Sequence, residues 1–288
     1  MSSLILFFFF VLGTIIGSFL NVVVLRYGTK TLTGRSQCFS CGKTLRWFEL
    51  VPVLSYILQK GRCRGCKAHI SWQYPIVELT TGLVFTLIAY KESSLFFSSL
   101  SSSFLLSTFY FLLTLSLWSL LIALSVYDLK HKIIPDALVY SACLISLFLL
   151  SASIFFELRA SSFFLDFLSG FLFSAPIALI WFFSRGRAMG LGDAKLVLMF
   201  PWLLGLSKGL SAVIIGFWIG AVVSLMGLLL KALSPLLPKA FLPGLRTRVL
   251  NLGMKTELPL GPFLVLGLFL VYIFGWDVIG LSLLLQTM

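Results

Sequence analysis

The sequence predicts an all-α fold, a polytopic membrane helix bundle of about eight spans carrying a small zinc-bound cytoplasmic insert. Three observations predict it. Hydrophobic residues make up 59% of the 288 and charged residues only 11%, against about 25% charged in a soluble domain. The first apolar run, Leu4 to Leu25, holds 22 residues without a charge, enough for a hydrocarbon core of about 30 Å. The 22 Lys and Arg residues are strongly segregated along the chain.

The elements follow in order. Leu4–Leu25 lacks a basic n-region and a small-residue cleavage site, so it reads as a retained span rather than a signal peptide. Further apolar runs place spans at 74–90, 104–127, 137–156, 163–183, 194–207, 210–230 and 260–282. The run at 194–207 is short and contains Pro201; dropping it and its neighbour leaves six spans. With the N-terminus outside, only Lys91, Arg159 and Lys208 fall in outer segments, and the other cations lie inside. That positive-inside pattern accounts for the net charge of +12 by topology and removes the case for nucleic-acid binding. Residues 91–103 form an outer loop ending in a Ser run, and 231–259, with four prolines and five cations, forms a cytoplasmic loop able to lie on anionic lipid. The expected domains are 1–25 (first span), 26–73 (insert) and 74–288 (membrane bundle).

The insert holds four of the five cysteines as Cys38-x2-Cys41-x21-Cys63-x2-Cys66. Two Cys-x-x-Cys turns complete a tetrahedral zinc site, and four thiolates leave no open position, so the metal is expected to be structural. In a reducing cytoplasm disulfides are not expected. An insert of 48 residues has little core of its own, and a metal would supply the missing stability. Cys143, inside an apolar span, reads as a small core residue.

Only ten acids occur, and two sit at span boundaries beside chain breaks. Asp128 closes an apolar run shortly before Pro135. Asp193 follows Gly190-x-Gly192 just ahead of another run. Two carboxylates sharing a proton activate water for peptide hydrolysis, and the glycines leave room for an approaching backbone. The bland readings are a boundary charge for Asp128 and a helix N-cap for Asp193. Asp136 reads as a cap, His131 as a residue one helical turn from Asp128, His69 as solvated, and Asp166 and Asp277 as outer boundary charges. Glu78, an acid within an apolar run, needs a partner or a polar cavity.

These motifs together resemble the type IV prepilin leader peptidases. Gly17-Ser18-Phe19-Leu20-Asn21 ending in Arg26, the four-cysteine insert, Tyr74-Pro75 through Glu78, Asp128 with Ile134-Pro135-Asp136, Met189-Gly190-Leu191-Gly192-Asp193 and Leu258-Pro259-Leu260-Gly261-Pro262-Phe263 match that family's pattern in order. Tyr27-Gly28, Phe39 and Leu260 depart from it without removing a chemical group. The resemblance implies that Asp128 and Asp193 are a catalytic pair, with Gly190, Gly192 and Glu78 binding substrate. It implies prepilin or pseudopilin substrates cut after Gly at the cytoplasmic face of a bacterial inner membrane. It also implies methyl transfer from S-adenosylmethionine to the new α-amine. No Rossmann-type glycine fingerprint occurs, so the insert, Glu78 and Arg26 are the candidate places for the donor. The alternative is an ion-coupled transporter with a zinc-stabilised module; it expects acids near the bilayer midplane.

Overall fold

The computed structural model describes residues 2–28, 34–93, 104–155, 163–233, 259–278 and 280. Among them the regular structure is helical: α1 Ser3–Arg26, α2 Leu54–Leu58, α3 Gln73–Lys91, α4 Phe104–His131, α5 Asp136–Phe155, α6 Phe163–Ser184, α7 Leu191–Leu204, α8 Leu206–Leu233 and α9 Gly261–Phe274. Pairing of extended chain is limited to two isolated bridges, Gln37–Thr44 and Arg62–His69, both in the insert.

Among the described residues five helices are long and apolar enough to cross a membrane: Ser3–Arg26, Leu105–His131, Asp136–Ser153, Phe163–Ser184 and Leu206–Leu230. Helices also occupy the other three expected spans. However, α7 and α9 have 14 residues each, which rise about 21 Å, and α3 carries Glu78 near its start and Lys91 at its end. The outer loop at 94–103 and most of the polar segment, 234–258, lie outside the described residues.

The chain divides into two compact units, one of Met1–Val126 with Leu144–Ala152, the other of Tyr127–Cys143 with Ser153–Met288. In the first, α1 packs along α3 through Gly13, Gly17 and Gly82. A Cβ on Gly13 would stand 2.7 Å from the Thr81 carbonyl oxygen, and one on Gly17 2.8 Å from the Glu78 Cα. The Gly13-x3-Gly17 spacing thus brings two backbones together as small residues do between membrane helices. Asn21 closes the seam, donating from Nδ2 to the Tyr74 carbonyl at 3.3 Å.

In the second unit α6 packs on α7, α7 on α8 and α8 on α9. The Phe167 and Trp202 rings stack at 5.6 Å, and Trp202 Nε1 donates to the Phe167 carbonyl at 3.1 Å. Asp166 and Asp277 do not behave as boundary charges. Asp166 is 1% exposed and accepts the Leu206 N–H at 2.9 Å. Asp277 accepts the Ser207 hydroxyl at 2.8 Å and the Ser211 hydroxyl at 3.4 Å. Both carboxylates gather at the N-terminus of α8, where unpaired N–H groups and the helix dipole favour negative charge.

Candidate active site

Asp128 lies in the last turn of α4, which ends as Lys132 takes a left-handed conformation at φ 55° and donates its N–H to the Asp128 carbonyl at 2.7 Å. Pro135 follows, and α5 starts at Asp136. The Asp128 side chain is 4% exposed, and its Oδ2 accepts the Gly261 N–H at 3.1 Å. Gly261 is the first residue of α9, so the carboxylate meets a helix N-terminus, the end that favours an anion. A Cβ on Gly261 would come within 2.7 Å of that oxygen. Only glycine lets the backbone approach so closely.

Asp193 is not the N-cap. Gly190 occupies that position with extended dihedrals, and Asp193 sits in the first turn of α7, 8% exposed. Its N–H donates to the Gly190 carbonyl at 3.2 Å, and its carboxylate accepts from the Gly190 backbone in return. Its charge and that of Asp128 lie within electrostatic reach of each other. Ile134 helps to join the pieces: a Cβ on Gly192 would sit 2.7 Å from the Ile134 Cβ, and one on Gly261 3.4 Å from its Cδ1. Gly192 thus faces Ile134 of the same chain.

Asp136 binds Lys195 Nζ at 2.6 Å, and that ammonium also lies over the Tyr140 ring, 4.9 Å from its centroid. The ion pair ties the start of α5 to α7, two residues beyond Asp193. His131 stacks on Tyr127 at 4.4 Å. Cys143 is buried, and its thiol donates to the Lys195 carbonyl at 3.6 Å. Gly261, Ile134 and Lys195 were not among the expected site residues. The signals lay in the motifs that contain them: Ile134-Pro135-Asp136, the run from Met189 through Lys195, and Pro259-x-Gly261-Pro262.

The cysteines converge: the Sγ atoms of Cys38, Cys41, Cys63 and Cys66 all lie within 4.8 Å of one another, and those of Cys38 and Cys66 are 3.8 Å apart. A tetrahedral site with Zn–S of about 2.3 Å needs sulfur separations of about 3.8 Å, so the donor set fits the ion. The two turns are built alike. Gly42 N–H donates to the Cys38 carbonyl at 2.9 Å and Lys67 N–H to the Cys63 carbonyl at 3.0 Å, with left-handed φ values of 68° and 60° at Gly42 and Lys67. In the second turn the left-handed position falls on Lys67 rather than Gly65. The N–H groups of Cys41 and Ser40 lower the Cys38 thiol to about 6. His69 stays outside the cluster.

Glu49 anchors the insert, accepting the Arg46 N–H at 2.8 Å and pairing with Lys43 at 3.3 Å. The Arg46 N–H and Lys43 hold its carboxyl below the usual range. Glu78, 6% exposed, finds its partner in the insert, where its Oε2 accepts the Val53 N–H at 2.7 Å. Val53 adopts φ 61°, unfavourable for a β-branched residue. Arg26 donates to the Gly34 and Arg35 carbonyls.

The family model described as Bacterial Peptidase A24 N-terminal domain matches residues 11–92, and that of the Type IV leader peptidase family matches residues 115–225. A prepilin leader peptidase/N-methyltransferase of Myxococcus xanthus is 34% identical over 77% of this chain and 63% of its own length. A type 4 prepilin-like proteins leader peptide-processing enzyme of Escherichia coli is 32% identical over 88% of each chain. A prepilin leader peptidase/N-methyltransferase of Pseudomonas putida is 29% identical over 93% of this chain and 90% of its own. No solved structure matches the chain.

Proposed function

The chain belongs to the type IV leader peptidase family, and from that premise we propose that Asp128 and Asp193 hydrolyse the leader of prepilins or pseudopilins. It is an enzyme, a membrane peptidase. The observation that carries the assignment of the pair is the meeting of three distant stretches around two buried carboxylates: Asp128 on Gly261, Asp193 on Gly190, with Ile134 between Gly192 and Gly261.

The ionised member of the pair takes a proton from water, whose oxygen attacks the scissile carbonyl carbon. The protonated member donates to the carbonyl oxygen. As the tetrahedral centre collapses, the C–N bond breaks and the departing nitrogen gains a proton. Gly190 keeps the backbone beside Asp193 open to an extended substrate, and Gly192 serves by seating Ile134. The substrates are chains with a short basic leader, a Gly and an apolar helix, cut after that Gly. Asp128 ends α4 and Asp193 begins α7, which supports chemistry at a membrane face rather than transport through the midplane. Eight spans with the N-terminus outside would put that face in the cytoplasm, as the cation distribution suggests. The domain reading of first span, insert and bundle stands on the same topology.

The relatives' names support a second activity on the trimmed product. S-adenosylmethionine would supply a methyl group to the new α-amine. Zinc held by Cys38, Cys41, Cys63 and Cys66 would cross-link the insert. Glu78, held toward the insert by the Val53 N–H, would serve in substrate binding.

The test is leader removal from a prepilin-type substrate, followed by product mass. Asp128→Asn and Asp193→Asn should each lower cleavage by at least about 10³-fold, with elution profile and helicity unchanged. Cleavage surviving in either variant would sink the pair.

A further inference from the structure

The insert turns apolar side chains outward. In α2, Leu54, Ile57 and Leu58 are 58%, 63% and 72% exposed, and their i, i+3, i+4 spacing sets them on one face. Ser55 and Tyr56, on the other side, are half-buried. The helical turn Trp47–Glu49 packs on α2 and leaves Trp47 80% exposed. Apolar residues outward and polar ones inward reverse the order of a module surrounded by water. We propose that α2 is an interfacial anchor, whose Leu54, Ile57 and Leu58 face lies in the boundary between headgroups and acyl chains of an anionic bilayer and holds the insert against it.

Two contacts fix the depth of α2. The Val53 N–H, just ahead of the helix, donates to Glu78 Oε2 at 2.7 Å. The Glu78 Cα lies beside Gly17, within 2.8 Å of a Cβ placed there. Gly17 lies on α1, which is long and apolar enough to cross a membrane, and the first charge of the chain comes only at Arg26, about 14 Å further along that helix. The start of α2 is therefore level with apolar helix, below the charged end of α1. The Tyr56 ring then meets the Trp72 ring at 5.2 Å, so α2 runs back along the first turns of α3. Trp72 in turn heads an outward stripe of α3 formed with Ile76, Leu79 and Leu83. Interfacial helices lie about 5–10 Å into that boundary, and tryptophan is at home there.

The charges of the insert complement such a surface. Glu49 is the one acid among the described residues 34–73, and it is buried and paired with Lys43. Arg46, beside Trp47, and Lys60 and Arg62, just past α2, are exposed. Long cationic side chains bury their stems in the boundary and keep their heads at the phosphates. Apolar groups at membrane depth, ringed by cations with no exposed acid, identify lipid as the occupant.

Full-length, zinc-loaded protein with a benzophenone side chain in place of Ile57 would be reconstituted in vesicles of phosphatidylethanolamine and phosphatidylglycerol and irradiated. Mass spectrometry should find a phospholipid adduct on the peptide holding residue 57, with phosphatidylglycerol above its share of the vesicle. A crosslink from position 57 to protein, or no phospholipid adduct, would overturn the proposal; phosphatidylglycerol at no more than its bulk share would overturn the part given to the cations. In parallel, Leu54→Ser, Ile57→Ser and Leu58→Ser combined should keep the zinc content and elution profile. They should raise protease cleavage of residues 34–71 in the vesicles at least about tenfold, the scale set by losing the burial of one such side chain. Unchanged cleavage would count against the anchor equally. The crosslinking arm stands even where the triple variant loses its zinc.

Discussion

Gly261 shows how much the proposed site depends on a missing atom. Its N–H reaches Asp128 Oδ2 at 3.1 Å because no side chain intervenes. Gly261→Ala would push a methyl to within 2.7 Å of that oxygen and displace the carboxylate. A shift approaching 1 Å costs about 10²-fold in rate, so leader cleavage should fall by that order while expression and elution profile hold. Wild-type rates would refute this role. The pH–rate profile should be bell-shaped, with both limbs belonging to the pair, because the two charges feel each other. Asp193→Asn should abolish the profile rather than shift one limb. The two glycines ahead of Asp193 were visible in sequence, but their jobs differ. Gly190 caps α7, while Gly192 makes way for Ile134, a contact across more than fifty residues that no local pattern encodes.

At the scale of elements, the seam between α1 and α3 rests on small residues. Gly13→Leu would place its Cβ 2.7 Å from the Thr81 carbonyl oxygen and 2.8 Å from the Gly82 Cα. Overpacking of this kind costs about 1–3 kcal/mol. The melting temperature in detergent should drop, with loss of the α1–α3 contact read by cysteine cross-linking between the helices. The insert has its own electrostatic lock. Glu49 titrates below its ordinary value because the Arg46 N–H and Lys43 favour its charged form. Its contribution is therefore present above the unfolded value of about 4.3 and is lost as pH falls through the lower folded value. Glu49→Gln should cost the insert about 1 kcal/mol at neutral pH, read as faster proteolysis of residues 34–71, and nothing at pH values below both titrations. The spacing of the cysteines announced the two turns but not the left-handed Lys67, because that spacing does not encode the φ of the residue that follows it.

For the whole molecule, zinc removal should separate local from global order. Thiolates must be deprotonated to bind, so chelation should become easier as pH falls. We expect the metal-free protein to keep its membrane helices by circular dichroism while residues 34–71 become sensitive to protease; an insert equally protected without metal would count against a structural ion. The sequence by itself determined the membrane class, the apolar runs and the orientation bias of the cations, and it singled out the two aspartates and four cysteines. Each of these depends on local chemistry: a desolvated backbone needs helices, thiolates two residues apart share an ion, and acids in apolar runs demand partners. Tertiary structure decided which partners they found. Glu78 turned to Val53, Asp136 to Lys195, Asp166 and Asp277 to the start of α8, and Asp128 to Gly261, more than a hundred positions away. A buried charge accepts a donor of suitable geometry from anywhere in the chain, and only the packed helices determine which donor comes within reach.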